Sequence, residues 1–379
     1  VSGRVYLDWN ATAPLRPEAR AAVLAALDAV GNPSSVHAEG RAAWAVVERA
    51  RAQVARLAGV EADLVVFTSG ATEANLMAAR GRGYLAAETE HASVLANHGA
   101  GDPIPATPDG APRFEAIAPR DAAEAAAIQS RAAALAVGAA NGETGVLVDL
   151  AAAKACARRA GLPLHVDAAQ AAGRVAIDLS GRATHTAALS AHKLGGPQGV
   201  GALIAPAKLE AEAQRAPRGQ QGGGQERGWR AGTHNVAGIA GFGAAAEAAL
   251  RDLETGVWDR VARLRNILEE RLAGVAPDAI IIGSTGPRLP NTTCVAVPGW
   301  RGETQVMAMD LAGFAVSAGA ACSSGRTGPS RALRAMGLDD ITAASAMRVS
   351  LGPTTTEDEI ARFADAWRRA YSTRRPAAA

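Results

Sequence analysis

Short apolar runs alternate along the chain with alanine-rich segments of helical character. The runs Leu64–Phe67, Leu135–Val137, Leu164–Val166, Ala187–Leu189 and Ala202–Ile204 predict strands, and the first four are each followed at once by a polar residue or glycine. Between them Ala42–Leu57, Glu73–Arg80 and Leu150–Ala160 predict helices. Strands alternating with helices predict a mostly parallel sheet covered on both faces, because a parallel connection has to cross over. Ligands of such sheets bind beyond the carboxyl ends of the strands, which is where these polar residues fall. Further on, Leu253, Val257, Val261, Leu264, Leu268 and Leu272 recur at spacings of three and four and predict one long helix over Asp252–Val275. Ile280–Ile282, Thr293–Val297 and Phe314–Val316 then predict strands of a second, smaller unit, and Asp358–Tyr371 predicts a closing helix. The final RRPAAA reads as a frayed tail. There is no internal repeat, and the low-complexity stretch is GQQGGGQERG at 219–228.

Composition narrows the class. A chain of 379 residues with 48% hydrophobic and 20% charged positions suits a globular enzyme of about two domains. The 39 basic and 37 acidic residues leave a net charge of +2, too small to argue for nucleic acid or a membrane surface. Three cysteines, Cys156, Cys294 and Cys322, make a poor disulfide framework and show no CxxC pair, so a reducing compartment is expected and a structural metal is not. The opening VSGRVYLDWN has no apolar signal core, and no run approaches the ~20 apolar residues of a membrane span. The expectation is a cytoplasmic protein.

Several residues then ask for a chemical reading. In VVFTSGATEAN a strand gives way to Thr68, Ser69, Gly70, Ala71 and Thr72 before a helix. That reads equally as a phosphate cradle or as ordinary capping. Asp167 follows Leu164–Val166 and could hold a ring nitrogen protonated, with Gln170 near a neighbouring oxygen; alone, it also reads as a helix cap. Lys193 in LSAHKLGGPQGVGA follows a strand end, flanked by Ser190 and His192. A lysine near apolar surface and other cations is a competent amine nucleophile, though most lysines are surface residues. His91 in ETEHASVL could stack on a ring and shuttle protons, or simply cap. Cys322 lies in the small, polar loop VSAGAACSSGRTGPS, where a thiol is accessible, whereas Cys156 and Cys294 read as core residues. Arg348 in AMRVSLG could clamp a carboxylate; in isolation it reads as a surface arginine before a strand. Together, a phosphate cradle, a ring-nitrogen acid and a Schiff-base lysine after three separate strands suit one cofactor, pyridoxal 5'-phosphate.

At this point the motifs YLDWNATAP, GNPSSVH, FTSGATEAN, EHASVL, NGETG, HVDAAQAAG, SAHKLGGPQGVGA, GGGQERGWRAGT, SAGAACSSG, PSRALRAMG and RVSLGPTTTEDEI, running from Tyr6 to Ile360, resemble one family. The chain is similar to cysteine desulfurases of the NifS/IscS type, within the class-V aminotransferases. The resemblance implies an α/β, fold-type I pyridoxal-phosphate-dependent transferase. Its large, mostly parallel-sheet domain would span 15–250, with a smaller α+β domain built from 1–14 and 251–379 and carrying the cysteine loop. It implies that Lys193 carries the cofactor, Asp167 pairs with the pyridine nitrogen, Gln170 contacts the ring hydroxyl, and His91 stacks on the ring and moves protons. It implies that Ala71, Thr72, Ser190 and His192 bind phosphate and that Thr233 reaches the phosphate of a partner subunit in a homodimer. Asn32 and Arg348 would hold the carboxylate of L-cysteine or its surroundings, and Cys322 would accept sulfur. The sulfur would pass to an acceptor protein such as an iron–sulfur scaffold. Either Lys193 or His91 would move the α-proton. Three positions depart from the family pattern: Asn141–Gly142 stands for the usual asparagine pair, so Asn141 substitutes in the ring contact or the contact is missing; Trp9 replaces a smaller or polar residue; and Gln198 replaces a lysine. The Cys322 loop argues against a plain aminotransferase, which needs no thiol. The main rival outside catalysis is an inactive, partner-binding subunit of a sulfur relay.

Overall fold

The computed structural model describes residues 3–79, 83–180, 185–205, 220–318 and 328–373. In chain order the strands are β1 (Val5–Tyr6), β2 (Val65–Thr68), β3 (Tyr84–Ala86), β4 (Ala134–Gly138), β5 (Leu164–Asp167), β6 (Thr186–Ser190), β7 (Gly201–Ile204), β8 (Ile280–Ile281), β9 (Thr292–Ala296), β10 (Phe314–Ala315), β11 (Ser317–Ala318) and β12 (Ala346–Ser350). The five strands predicted in the first half are all present, within one or two residues of the predicted bounds. They join β3, which the sequence reading missed, in a six-stranded sheet of order β2-β7-β6-β5-β4-β3. β3, β4, β5 and β6 run parallel, while β7 is antiparallel to both of its neighbours. The mostly parallel α/β expectation therefore holds, with one reversal.

Side chains alternate across the sheet, as the pleat requires. Phe67, Leu135, Val137, Leu164, Val166, Leu189 and Ala202 face a core shared with the helices Ala38–Ala58, Leu150–Ala160 and Val236–Glu254. The other face presents Val66, Ala86, Ala134, Ala136, Ala188 and Leu203 to the helix Ala71–Ala79. Those alanines are short, so this helix can lie close to the strands. Leu150–Ala160 matches its predicted bounds because its punctuation is local: Asp149 caps the first turn, and Gly161 ends the helix at φ 65°.

A second core lies around the antiparallel sheet β11-β12-β9-β8. Val295, Val297, Met347 and Val349 pack there against Val261, Leu264, Leu268 and Leu272 of one helix and Ile360, Phe363 and Trp367 of another. β1 pairs with β10, and Val5 and Leu7 are buried in this core although they come from the start of the described chain. The predicted single helix Asp252–Val275 is corrected to two: one helix ends at Glu254 and the next begins at Val257. Gly256 breaks the run at φ 69°, a conformation glycine adopts without steric cost. Leu253 packs against both cores, so the apolar spacing continues across a break that periodicity cannot register. The predicted strand Phe314–Val316 ends at Ala315, and Ser317–Ala318 pairs with β12 instead.

The described part of the glycine-rich stretch, 220–228, is partly a fastening. Glu226 is buried and accepts two hydrogen bonds from Arg51, each 2.8 Å, one from His234 at 2.9 Å and one from the Phe67 N–H at 2.8 Å. Glu226 and Arg227 both hold left-handed backbone, at φ 49° and 54°. Non-glycine residues rarely adopt it, and the Glu226 contacts offset that strain. Burial alone would raise the Glu226 carboxyl, but the bonds from Arg51 and His234, the Arg51 charge and the Phe67 N–H hold it down at about 2.

Arg51→Ala strands this carboxylate without its cation. The expected destabilisation is about 3–5 kcal/mol by denaturant titration; a loss below about 1 kcal/mol would contradict the fastening. Because the folded pKa is depressed, the contribution of Glu226 is present above the ordinary value of 4.5 and is lost as pH falls towards about 2. The stability curves of the parent and Glu226→Gln should therefore converge across that window.

Candidate active site

The register of the large sheet aligns the polar strand ends. Gly138 pairs with Asp167 and Asp167 with Ala188, while Gly201 pairs with both Ser190 and Thr68. Because β7 runs backwards, its first residue lies beside the last residues of β2 and β6. A Cβ on Gly201 would sit 2.6 Å from Gly70 Cα, so glycine lets the turn before the Ala71–Ala79 helix fold against the strand. Thr68 Oγ1 accepts the Gly70 N–H at 3.3 Å. Ala71 and Thr72 occupy the first two helical positions, where backbone N–H groups lack intrahelical partners. Ser190 is buried at the end of β6.

Asp167 is buried and receives an N–H from Asn75 Nδ2 at 2.8 Å and from Ala169 at 3.0 Å. The second Asn75 Nδ2 proton goes to Ser93 Oγ at 2.8 Å, and Asn75 Oδ1 meets His165 Nε2 at 2.8 Å. His165 Nδ1 lies 2.8 Å from Thr186 Oγ1, and its ring stacks on Tyr84 with centroids 5.0 Å apart. Burial lowers His165 to about 4, against the opposing pull of Asp167, so the ring is neutral near pH 7. His91 caps the short helix Ala92–Leu95, with Nδ1 2.7 Å from Ser93 Oγ and 3.1 Å from the Ser93 N–H. Beside it the buried Glu90 accepts the Gly138 N–H at 2.8 Å. Burial raises the Glu90 carboxyl to about 8; the Gly138 bond opposes this and the charge of Asp167 adds to it.

Lys193 Nζ donates to the carbonyls of Asn10 and, at 2.9 Å, Ala11. His192 Nδ1 lies 3.2 Å from Thr12 Oγ1, and burial, then the charges of Lys193 and Arg174, lowers His192 to about 4. Arg174 is buried and donates to Asn10 Oδ1, Gln170 Oε1, and the Trp9 and Lys193 carbonyls at 2.7–3.3 Å. Gln170 Nε2 in turn donates to the Asn10 carbonyl at 3.1 Å.

Asn10 is only 1% exposed and makes seven hydrogen bonds among the described residues. Its Nδ2 donates to Gly142 O and Thr292 Oγ1, its Oδ1 accepts from Arg174 and Asn291, its N–H meets Ser350 Oγ, and its carbonyl accepts from Lys193 and Gln170. It thus links the large sheet to β9 and β12 of the second core.

Arg348 corrects the reading of a surface arginine before a strand. It lies in the middle of β12 and is 2% exposed. It donates to Asp8 Oδ1 at 2.7 Å and to the Gly142 carbonyl at 3.0 Å, while its Nε has no partner among the described residues. Asn141 Nδ2 donates to Thr89 O, and Oδ1 accepts the N–H groups of Glu143 and Thr144. Gly142 leaves its place to Gln170, whose Nε2 would lie 2.9 Å from a Cβ there.

Asn32 is exposed, with its Oδ1 accepting the Ser34 N–H at 2.9 Å, and Thr233 is exposed as well. No described contact joins either to Lys193 or Arg348. Cys322 lies outside the described residues, as does the 319–327 segment around it. The residues on either side are fastened to the site. Ser317 Oγ donates to Asp8 Oδ2 at 2.7 Å, Ser330 Oγ to Glu143 Oε2 at 2.7 Å, and Arg331 to the Glu90 carbonyl at 2.8 Å. Cys156 and Cys294 are buried, as their positions in a helix and a strand predict.

The donor set fits pyridoxal 5'-phosphate. A buried acid stands at one strand end, hydroxyls and a helix start at its neighbours, an amine three residues beyond Ser190, and a buried guanidinium with an unmatched N–H at the second core. Sequence reading passed over Asp8, Asn10, Asn75, Glu90 and Arg174. Asp8, Asn10, Asn75 and Glu90 sit inside quoted motifs and Arg174 directly follows one, but only the folded chain reveals their partners.

The Aminotransferase class-V family model matches residues 5–363. A cysteine desulfurase of Cereibacter sphaeroides is 42% identical over 95% of this chain and 94% of its own length. An IscS-like cysteine desulfurase of Mycobacterium tuberculosis is 34% identical over 94% and 93%. Among solved structures, the NifS-like protein of Rickettsia africae superposes with a TM-score of 0.85 at 28% identity, covering 98% of this chain and 100% of that one.

Asn10→Ala removes four side-chain hydrogen bonds and strands buried groups on both cores, at about 1–3 kcal/mol each before relaxation. Calorimetry should show the melting transition fall by many degrees and split in two. A single transition at the parent temperature would refute the linking role.

Proposed function

The chain belongs to the class-V aminotransferase family, and from its site we propose that it is a pyridoxal-phosphate-dependent cysteine desulfurase, a sulfurtransferase that converts L-cysteine to L-alanine. The observation that carries this reading is that Asp167 and Lys193 stand at the carboxyl ends of the neighbouring strands β5 and β6, near residues that fasten both ends of the Cys322 segment.

Lys193 would hold the cofactor through Nζ, and Asp167 would keep a proton on the ring nitrogen by a charge-assisted bond. Ala71, Thr72, Ser190 and His192 would surround the phosphate. The exposure of Thr233 suits the same task across a homodimer, at the partner's phosphate. Gln170 would face the ring oxygen; Asn141 would shape its turn through Oδ1 beside the ring. When bound, the cofactor supplies an electron sink for the carbon next to the substrate nitrogen. Arg348 would hold the substrate carboxylate or its surroundings, with Asn32 nearby only if its loop is covered by a partner. Lys193 and His91 would move protons, help worth roughly 10²–10⁴-fold.

The Cys322 thiolate would attack the substrate sulfur. The C–S bond breaks with its electron pair left on carbon, which takes up a proton and departs as alanine. The sulfur stays on Cys322 as a persulfide and passes to an acceptor protein, such as an iron–sulfur scaffold. No helix among the described residues is long and apolar enough to cross a membrane.

Purified protein with pyridoxal 5'-phosphate and L-cysteine under reducing conditions should form alanine and sulfide in equal amounts; a colourless, inactive protein would favour a partner-binding subunit. Lys193→Ala should lose the borohydride-reducible lysine adduct. Cys322→Ser should keep the cofactor colour but form no persulfide, and unchanged turnover would refute the role of Cys322.

A further inference from the structure

The buried hydrogen bonds behind His91 admit one arrangement of protons. Asp167 accepts, so the Asn75 atom facing it is the amide nitrogen, and this fixes the amide's orientation. The other Asn75 proton then goes to Ser93 Oγ, and Oδ1 must accept from His165 Nε2. His165 is neutral, which leaves its Nδ1 to accept from Thr186 Oγ1. At the other end, the Ser93 backbone N–H can only donate, so His91 Nδ1 is an acceptor. The Ser93 hydroxyl, already accepting from Asn75, gives its single proton to the same nitrogen. The chain therefore runs one way, from Thr186 through His165, Asn75 and Ser93 to His91. Every donor in it is matched to an acceptor.

We infer that Asn75 and Ser93 are positioning residues that hold His91 as the tautomer with its proton on Nε2. Resting on the desulfurase reading, this divides the work that the sequence leaves open between two residues. With Nδ1 closed by two donors, the His91 proton sits on Nε2, so His91 acts first as the acid. Removal of the α-proton falls to the Lys193 amine. The same Asn75 amide grips Asp167, so the acid that would hold the ring nitrogen and the histidine that would protonate the carbon fragment are set by one side chain.

The test is the tautomer itself. In the pyridoxal-phosphate-loaded protein with ¹⁵N-labelled histidine, the His91 signals are identified by their loss in His91→Gln. The parent should show an unprotonated, pyridine-type Nδ1 and a protonated, pyrrole-type Nε2. Ser93→Ala should collapse that split towards a tautomer average and lower kcat on the order of tenfold, with KM for L-cysteine little changed. Ser93→Thr, which keeps the hydroxyl, should restore both. Asn75→Ala should also collapse the split; the Ser93 pair carries the test if that variant does not fold. A pyrrole-type Nδ1 in the parent overturns the inference, and so does a parent-like split in Ser93→Ala. The spectra need no turnover. Absence of alanine formation would refute the functional reading and still leave the tautomer to be judged.

Discussion

Asn10 is the residue on which the rest of the site hangs. A buried primary amide has two protons to give and two lone pairs to fill, and any left unmatched costs stability. Asn10 fills all four from different parts of the chain: Gly142 and Thr292 on one side, Arg174 and Asn291 on the other. Its carbonyl takes Lys193 and Gln170. The amine proposed to carry the cofactor and the strands that carry Arg348 therefore share one fixed reference. Next to it, Asp8 neutralises Arg348 and also anchors Ser317, where the cysteine segment begins. Three successive residues, Asp8 to Asn10, connect pieces that lie hundreds of positions apart.

The sheet supplies the geometry that this linkage stabilises. Parallel strands place Asp167 and Ser190 at one edge, and the reversal of β7 brings Gly201 and the Thr68 turn to the same edge. Small residues on one face matter as much as the large ones on the other. With Ala86, Ala134, Ala136 and Ala188 beneath it, the Ala71–Ala79 helix can place Asn75 against Asp167 and His165. A bulkier face would lift the helix and separate those groups. The family relationship fits this arrangement, since the relatives align over nearly the whole chain rather than over isolated motifs.

What the sequence made legible depended on how local each signal was. Strand runs bounded by glycine or a polar residue, and the helix between Asp149 and Gly161, carry their own limits. The break at Gly256 was hidden because Leu253 keeps the apolar spacing while packing against both cores. Arg348 looked like a surface residue because nothing near it in sequence supplies Asp8, its counter-charge. Lys193 and Asp167 could be singled out by position after a strand; Asn10 and Asn75 could not, since an asparagine has no sign until its partners arrive from distant segments. Asn141 showed the converse. Its motif suggested a cofactor contact, and in the fold its Oδ1 accepts two N–H groups of its own turn while its Nδ2 donates to the distant Thr89 carbonyl.

The fastening between Arg51 and Glu226 has a consequence for descent and design. Neither partner is tolerable alone at that depth, and two neighbouring residues hold a backbone shape that depends on the pair. A lineage that acquired the pair cannot shed it one substitution at a time without passing through a poorly folded intermediate. The two positions are thus expected to change together or not at all, and the loop leading to Thr233 inherits their permanence. A designer who wishes to reshape that loop has to begin on the Ala38–Ala58 helix, at a residue far from it in the chain.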